Sequence, residues 1–379
     1  MKRVCIFSAQ YLPTVGGVER YTYNIARQLT MRGIKVTIVT SQVSQLPEYE
    51  EKEEGTIYRV PCYNLMNGRF PTVKLNSDYR RIMEKLKQYK YDLVITNTRF
   101  YLHSLIGVIF GRKYGKRSIV IEHGTSHMSV HNQILDVMEQ LFEHAITWFV
   151  KKNCCQFYGV SGACLEWLKH FHIQGVGTLY NAVNLEQINQ LQENSRLNIR
   201  EKYYIPENAL VISFTGRLLQ EKGVLQLQES FQKIREQFPN TYLVMAGDGI
   251  LFKTLEEKKD DHTILLGQVS FEEVIGMLKD TDIFCLPSVS EGMPTSVLEA
   301  IACRNFVITT KRGGAKEILL DSSYGIILSD NSTDLVTKAL KKVLDNPEYR
   351  VRAVEKSYRK LLQSFTWENV ADQIEEELL

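Results

Sequence analysis

No uncharged apolar stretch in this sequence approaches the roughly 18 residues that read as a membrane-crossing helix. If a membrane matters, the chain is expected to lie on it rather than in it. After Lys2 and Arg3 the apolar stretch VCIFSA is too short for the core of a secretory signal, so none is expected. There is no CxxC pair and no Cys/His cluster at zinc spacing. The seven cysteines, Cys5, Cys62, Cys154, Cys155, Cys164, Cys285 and Cys303, are odd in number and read as reduced thiols of a cytosolic protein. The dinucleotide fingerprint GxGxxG is missing after the first strand candidate. No DxD-type metal site is visible, and there is no short repeat or low-complexity tract. The basic residues are scattered without an aromatic stacking platform, which argues against a nucleic-acid reader.

What is present is enough for two cores. Single cores stop growing at about 250–300 residues, and the chain has 379, with 44% apolar and 24% charged residues. The net charge of +2 hides an asymmetry. Residues 1–185 carry 23 Lys+Arg against 14 Asp+Glu, and the remainder carries 23 against 30. A basic half fits an anionic partner such as a phosphate-bearing acceptor or a membrane surface, although two domains can also diverge in charge without function.

Short β-branched runs alternate with longer amphipathic segments. Strand candidates in the first half are residues 3–8, 35–40, 56–60, 92–96, 118–122 and 156–160, with helical patterns at 18–32, 77–89, 102–112 and 132–152. Residues 184–208 are polar, and the domain connection is expected there. Strand candidates resume at 210–215, 241–246, 262–266, 282–286, 306–309 and 325–328. The pattern predicts two doubly wound α/β domains in series, residues 1–185 and 186–363, each with a parallel sheet covered on both faces. Ligands of such sheets bind beyond the carboxyl ends of the strands, and two such edges can face each other across a cleft. The acidic run EYEEKEE, residues 48–54, is expected to be a solvated loop.

The candidate motifs follow strands. The first strand runs into a loop with Gly16 and Gly17 and then the helix VERYTYNIARQL. Such glycines let backbone amides approach an anion at a helix start, and they equally suit an ordinary strand-to-helix turn. The strand 210–215 ends in SFTGRLLQEKG, where Gly216 frees the backbone and Arg217 and Lys222 bracket a turn. Two cations there suit a diphosphate, and need no metal to neutralise a leaving group. MAGDG, with Gly247, is a tight turn able to lie under a nucleotide base. The strand 282–286 leads to PSVSEGMPTSVLEAIAC. Pro294 fits the first turn of a helix, where its missing N–H costs nothing, and Thr295 and Ser296 suit helix-start hydrogen bonding; the stretch Met293, Pro294, Thr295 and Ser296 is a candidate phosphate site through the backbone amides of its residues other than proline. Glu291 then precedes that helix, and Glu299 lies inside it. An acceptor-only carboxylate on the loop can bind sugar hydroxyls, and one on the helix can bind a ribose diol.

These residues resemble the retaining glycosyltransferases of family 4, which have the two-domain GT-B architecture. The resemblance spans nearly the whole chain: GGVER (16–20), LYNAVN (179–184), GRLLQEKG (216–223), GDG (247–249), EGMPTSVLEA (291–300) and GGAKEI (313–318). It implies that Glu299 binds the nucleotide ribose, that Glu291 contacts the donor sugar's hydroxyls, and that Arg217 and Lys222 bind the diphosphate. It implies that Gly16 and Gly17 lie beside the donor phosphates and acceptor. His123, in IEHGT, matches the family's active-site histidine near the transferred sugar; His103, His127 and His131 are further candidates. The donor is expected to be a UDP- or GDP-sugar, with no other cofactor. The acceptor is expected to be a glycan or lipid-linked molecule in cell-surface polysaccharide assembly.

The chain departs from the family at ACRNFV, where ACGxPV is usual; Arg304 and Phe306 replace Gly and Pro, and altered packing or donor preference is expected. The last helix, within residues 364–379, is expected to pack back on the first domain. Ile134, Met138, Leu141, Ala145 and Phe149 stand at helical spacing and are expected to face a core. The alternative is an amphipathic helix at a membrane surface, with Trp148, Phe149, Lys151 and Lys152 at the interface and Arg112, Lys113, Lys116 and Arg117 adding charge. That would set the protein in the cytoplasm at the inner face of the plasma membrane. A sugar-nucleotide epimerase of the same fold and a non-catalytic sugar-nucleotide-binding protein are the rival readings.

Overall fold

Strands rich in Val, Ile and Leu fold into two parallel sheets because helices cover both faces of each. The computed structural model describes residues 1–14, 16–65, 70–127, 133–154, 156–195 and 197–379. His131 and Cys155 lie outside them. In chain order the strands are β1 (Arg3–Phe7), β2 (Lys35–Ser41), β3 (Tyr49–Lys52), β4 (Gly55–Val60), β5 (Cys62–Leu65), β6 (Phe70–Val73), β7 (Tyr91–Asn97), β8 (Gly115–Glu122), β9 (Gln156–Gly159), β10 (Gly177–Thr178), β11 (Leu210–Thr215), β12 (Thr241–Ala246), β13 (Thr263–Gly267), β14 (Ile283–Leu286), β15 (Phe306–Thr310) and β16 (Ile326–Leu328). The chain divides into two compact units, Met1–Asn181 with Trp367–Leu379, and Ala182–Thr366.

The first unit holds an eight-stranded sheet in the order β10-β9-β8-β7-β1-β2-β4-β3. Its strands are parallel except β3, which runs antiparallel to β4. Strand order reverses between β1 and β7, so the ends of β1, β7 and β8 meet at the switch point where doubly wound sheets bind ligands. The helix Gly17–Met31 buries Tyr21, Ile25, Ala26 and Leu29 along one stripe. The last helix, Trp367–Glu377, docks on that helix. Gln28 Nε2 donates to Glu368 Oε1 at 2.8 Å, Arg32 pairs with Asp372 at 2.6 Å and Glu375 at 2.9 Å, and the Tyr21 and Trp367 rings meet edge-on at 5.2 Å. The second unit holds a six-stranded parallel sheet, β13-β12-β11-β14-β15-β16, whose switch point lies between β11 and β14.

Two expectations need correction, on the acidic run and on the helix Gln133–Asn153. The acidic run is not a loop: Tyr49–Lys52 is the edge strand β3, and Glu54 is buried, accepting the Tyr11 hydroxyl at 2.8 Å. The polar connection contains two helices, Leu185–Asn194 and Ile199–Lys202, capped by the side chains of Asn184 and Asn198. The helix Gln133–Asn153 turns its expected core stripe outward: Ile134, Met138 and Leu141 are 75%, 62% and 66% exposed, and Ala145 and Phe149 are also exposed. Glu143, Ile146, Thr147 and Val150 face inward instead. The inward face joins two buried features, the Glu143 ion-pair network described below and an apolar cluster in which Ile146 and Val150 meet Val108, Val120 and Phe157.

Candidate functional site

Each unit carries candidate residues at the carboxyl edge of its sheet. In the second unit β11 is followed by Gly216 and Arg217, both exposed. Gly216 donates its N–H to Ala246 O at 3.0 Å, and Leu218 N donates to Asp248 O at 2.9 Å. The GDG turn after β12 is thereby stitched to the turn after β11. Gly247 has φ +141°, and a Cβ there would stand 1.9 Å from the carbonyl oxygen of Gly216. Only glycine permits that approach. Between these two turns and the loop after β13 lies a cavity of about 340 Å³, lined by Gly216, Arg217, Gly247, Asp248, Val269 and Val274 among others. A larger cavity of about 520 Å³ opens in the first unit, but at the amino ends of β1 and β2, beside Arg3, Lys35 and Tyr91. That is the wrong edge for a doubly wound sheet.

The second stitch joins the QEKG turn to the loop after β14. Gly223 has φ +70°, and a Cβ on it would lie 2.2 Å from Pro287 O. Val289 N donates to Glu221 O at 2.8 Å, and Ser288 Oγ to the same carbonyl at 3.2 Å. This brings the Lys222 ammonium to 2.6 Å from Glu291 Oε1, with the two side chains only 16% and 13% exposed. The GGAKEI loop closes the other side, Gly314 N donating to Gly292 O at 2.9 Å. The helix Thr295–Ala302 follows, but Pro294 is its N-cap rather than a member of its first turn. Met293 and Pro294 are buried, and Thr295, Ser296 and Glu299 are partly exposed. Arg217, Lys222, Gly247, Glu291 and the 293–299 segment therefore share one edge of one sheet. The triplet Asp280–Thr281–Asp282 does have DxD spacing, although no motif drawn from the sequence included it. It stands at the opposite edge, where Asp280 accepts Ile199 N at 3.0 Å and Asp282 accepts Val211 N at 2.9 Å.

In the first unit His123 follows β8. Its Nε2 lies 3.2 Å from Asn97 Oδ1, at the end of β7, and its ring meets Tyr21 edge-on at 4.9 Å. Asn97 Nδ2 donates to Thr22 Oγ1 at 2.7 Å, and the Thr22 hydroxyl donates in turn to Val18 O at 2.8 Å. That chain fixes the Asn97 carbonyl toward His123, so Nε2 carries the proton and Nδ1 is left as an acceptor. Burial pushes the imidazole down to about 3, so it is neutral at physiological pH. A Cβ on Gly16 would stand 2.4 Å from Glu19 Oε2, so the Glu19 side chain occupies the space that a side chain would need, whereas Gly17 has nothing within 4 Å. Loss of hydration raises the buried Glu19 carboxyl. His103 is a core residue, fully buried, with Nε2 2.9 Å from Val39 O and its basicity pushed down to about 4 by burial.

A buried network holds the His123 loop, and no sequence motif announced it. Arg99 bridges Glu122 and Glu143, and all three are at most 4% exposed. The other oxygen of Glu122 accepts the N–H groups of His123 at 3.1 Å and Gly124 at 2.8 Å. The available signal was a charged residue just past each of two apolar strands, Arg99 after β7 and Glu122 ending β8.

The two units match two family profiles, glycosyltransferase family 4 over residues 15–187 and glycosyl transferases group 1 over residues 195–360. The chain is a glycosyltransferase of the family 4 type, with the GT-B fold. This glycosyltransferase is 23% identical to an uncharacterized glycosyltransferase of Methanocaldococcus jannaschii, over 96% of this chain and 95% of that one. It is 25% identical to a phosphatidylinositol N-acetylglucosaminyltransferase subunit of Arabidopsis thaliana, over 98% of this chain and 80% of that one. Among solved structures, Anabaena HepE in complex with UDP superimposes with a TM-score of 0.74 at 15% identity, covering 100% of this chain and 99% of that one. No helix among the described residues is long and apolar enough to cross a membrane.

Proposed function

We propose that this glycosyltransferase moves a sugar from a UDP- or GDP-sugar to a glycan or lipid-linked acceptor, with retention at the anomeric carbon, in cell-surface polysaccharide assembly. The observation that carries the reading is the Lys222–Glu291 pair, held at 2.6 Å by two backbone stitches beside the exposed Arg217. A cation and a sugar-binding carboxylate are thereby placed together at one sheet edge. Lys222 and Arg217 take the diphosphate, Glu291 the sugar hydroxyls, and Glu299 the ribose. The cavity beside Gly247 takes the base. As the bond from the anomeric carbon to the diphosphate oxygen breaks, the two cations stabilise the charge that develops on the leaving group. The acceptor hydroxyl bonds to the anomeric carbon from the same face, and its proton passes to a phosphate oxygen of the departing nucleoside diphosphate. The neutral His123 offers Nδ1 to a sugar hydroxyl. The UDP complex of HepE supports a nucleotide donor, and the plant relative's name supports a lipid acceptor.

The exposed face of the helix Gln133–Asn153, with Lys151 and Lys152 at its end, fits contact with an anionic membrane surface. A thermal-shift screen of UDP-, GDP- and ADP-sugars tests the donor. A donor at about 100 times its dissociation constant adds about 2.7 kcal/mol of stability. No shift with any of them overturns the reading. Turnover of the bound donor to a second sugar nucleotide without an acceptor would identify an epimerase instead.

A further inference from the structure

Three histidines that are far apart in sequence come together in the first unit. His127 lies in the loop after β8, His144 on the helix Gln133–Asn153, and His170 caps the helix Gly162–Lys169. One ring nitrogen from each lies within 4.8 Å of the others. We propose that these imidazoles form a binding site for a divalent transition metal of the zinc class, pinning the loop that follows His123 to the two helices. The proposal does not depend on the glycosyl-transfer reading.

The geometry supports it in three ways. Nε2 of His144 and Nε2 of His170 are 3.3 Å apart. Two nitrogens bound to zinc at about 2.0–2.1 Å, at a tetrahedral angle, stand about 3.3–3.4 Å apart. The pair is therefore already at ligand spacing, and a ring nitrogen of His127 lies within 4.8 Å of both. Second, His127 Nδ1 lies 2.6 Å from Glu143 Oε2, which fixes the tautomer that presents Nε2 as a lone pair. A carboxylate behind the ligating histidine is the arrangement that raises imidazole basicity and orients the ring in zinc sites. The ring of His170 is held in turn by Trp167, stacked at 4.8 Å with planes 4° apart.

The third argument is charge. Arg99 offers one positive charge to the two buried carboxylates Glu122 and Glu143. The neutral His127 faces Glu143 through Nδ1 and adds no charge of its own. A dication on the far side of His127 places positive charge behind the Glu143 carboxylate. Imidazole ligands suit zinc, and three of them leave a fourth position for water.

The test uses the full chain without a histidine tag, stripped with a chelator and titrated with Zn²⁺ against a chromophoric competitor. One equivalent is expected to bind, and Co²⁺ in its place is expected to give the intense visible bands of a tetrahedral site. His144 and His170 are exposed, so His144→Gln and His170→Gln keep the fold, and each is expected to weaken Zn²⁺ at least tenfold. Glu143→Gln is expected to weaken it by about 10- to 100-fold. His172→Gln, just outside the cluster, is expected to change nothing. No uptake by the parent chain, or uptake that survives the His144→Gln/His170→Gln double variant, overturns the proposal.

Discussion

Gly247→Ala tests whether the backbone stitch between the turns after β11 and β12 shapes the donor site. The added Cβ would stand 1.9 Å from Gly216 O, where real Cβ contacts do not fall below 3.0 Å. The obstacle is backbone, so Gly216 and the adjoining Arg217 must move by about 1 Å to relieve it. The φ of +141° adds strain of about 1–3 kcal/mol for any residue with a Cβ, and the overlap adds about 1–3 kcal/mol. For a domain of 150–250 residues each kcal/mol lowers the melting temperature by about 2–4 °C. A drop of about 4–24 °C in the second unit's transition is therefore expected. Displacing Arg217 by about 1 Å is expected to reduce turnover by about a hundredfold as well. Differential scanning fluorimetry with and without donor reads the stability and the donor shift, and a transfer assay reads turnover. Gly17→Ala is the comparator: its Cβ meets nothing within 4 Å and it begins a helix, so stability holds or rises slightly. A Gly247→Ala protein with the parent's melting temperature and donor shift would refute the close-approach argument.

Glu299→Ala is expected to weaken donor binding by about 10- to 150-fold, the equivalent of the 1.5–3 kcal/mol carried by charge-assisted hydrogen bonds, with the same melting temperature; calorimetry with the nucleoside diphosphate alone checks it, and unchanged affinity removes the ribose role. His123 is held near 3 in the fold against an ordinary value of 6.5. Below about 6.5 the unfolded chain takes a proton that the native His123 refuses, so stability falls with falling pH by up to about 1.4 kcal/mol per unit. Denaturant midpoints at pH 7 and pH 5 are expected to show the parent losing at most about 2 kcal/mol more than His123→Phe; equal losses contradict the neutral assignment. Met138→Asp with Leu141→Asp is expected to abolish cosedimentation with anionic vesicles while leaving melting and turnover on a soluble acceptor intact, since both side chains are exposed.

The parallel strands were legible because each is a short apolar run set between turns. Every one of the twelve strand candidates corresponds to a strand, with ends displaced by a few residues at most. The strands that were missed are those without that signal. β3 reads YEEK because it is an antiparallel edge strand, and its solvent-facing positions carry charge. β6 contains Pro71, which demotes a run to non-strand in sequence and is tolerated in a two-stranded hairpin. On the site, the second unit's residues could be read because glycines and charges follow strands in unbroken motifs. The Arg99–Glu122–Glu143–His127 network could not, since its members come from three separate stretches of chain and only folding makes them neighbours. The network also bears on the outward stripe of the helix Gln133–Asn153: a pattern of apolar spacing says which residues share a face, and here the face that turns inward is the one carrying the buried Glu143 with Ile146 and Val150.

Arg304 shows how the chain absorbs its departure from the family pattern. The helix Thr295–Ala302 ends in a Schellman motif: Arg304 N donates to Ile301 O at 2.9 Å and Asn305 N to Ala300 O at 3.0 Å. The residue after the cap must then be left-handed, and Arg304 has φ +64°. Glycine suits that position; a side chain costs about 1–2 kcal/mol there. The cost is offset on the helix Pro347–Ser364, where the guanidinium lies 3.6 Å from the Tyr358 ring centroid and 2.9 Å from Glu355. An exposed cation–π contact contributes about 0.5–1 kcal/mol and an exposed ion pair up to about 1 kcal/mol. Phe306 is anchored on the same helix, edge-on to Tyr349 at 5.3 Å. The two terms at Arg304 are of similar size, so Arg304→Gly is expected to be near neutral: it loses the contacts and sheds the strain. Arg304→Ala loses the contacts and keeps the strain, and is expected to fall below the glycine variant by about 1–2 kcal/mol in urea unfolding. Donor affinity is expected to be unchanged in both, because the substitution acts on helix packing at the end remote from Glu291. Equal stability of the alanine and glycine variants would mean that the left-handed conformation carries no cost at this position, and the compensation by Tyr358 and Glu355 would then have nothing to offset.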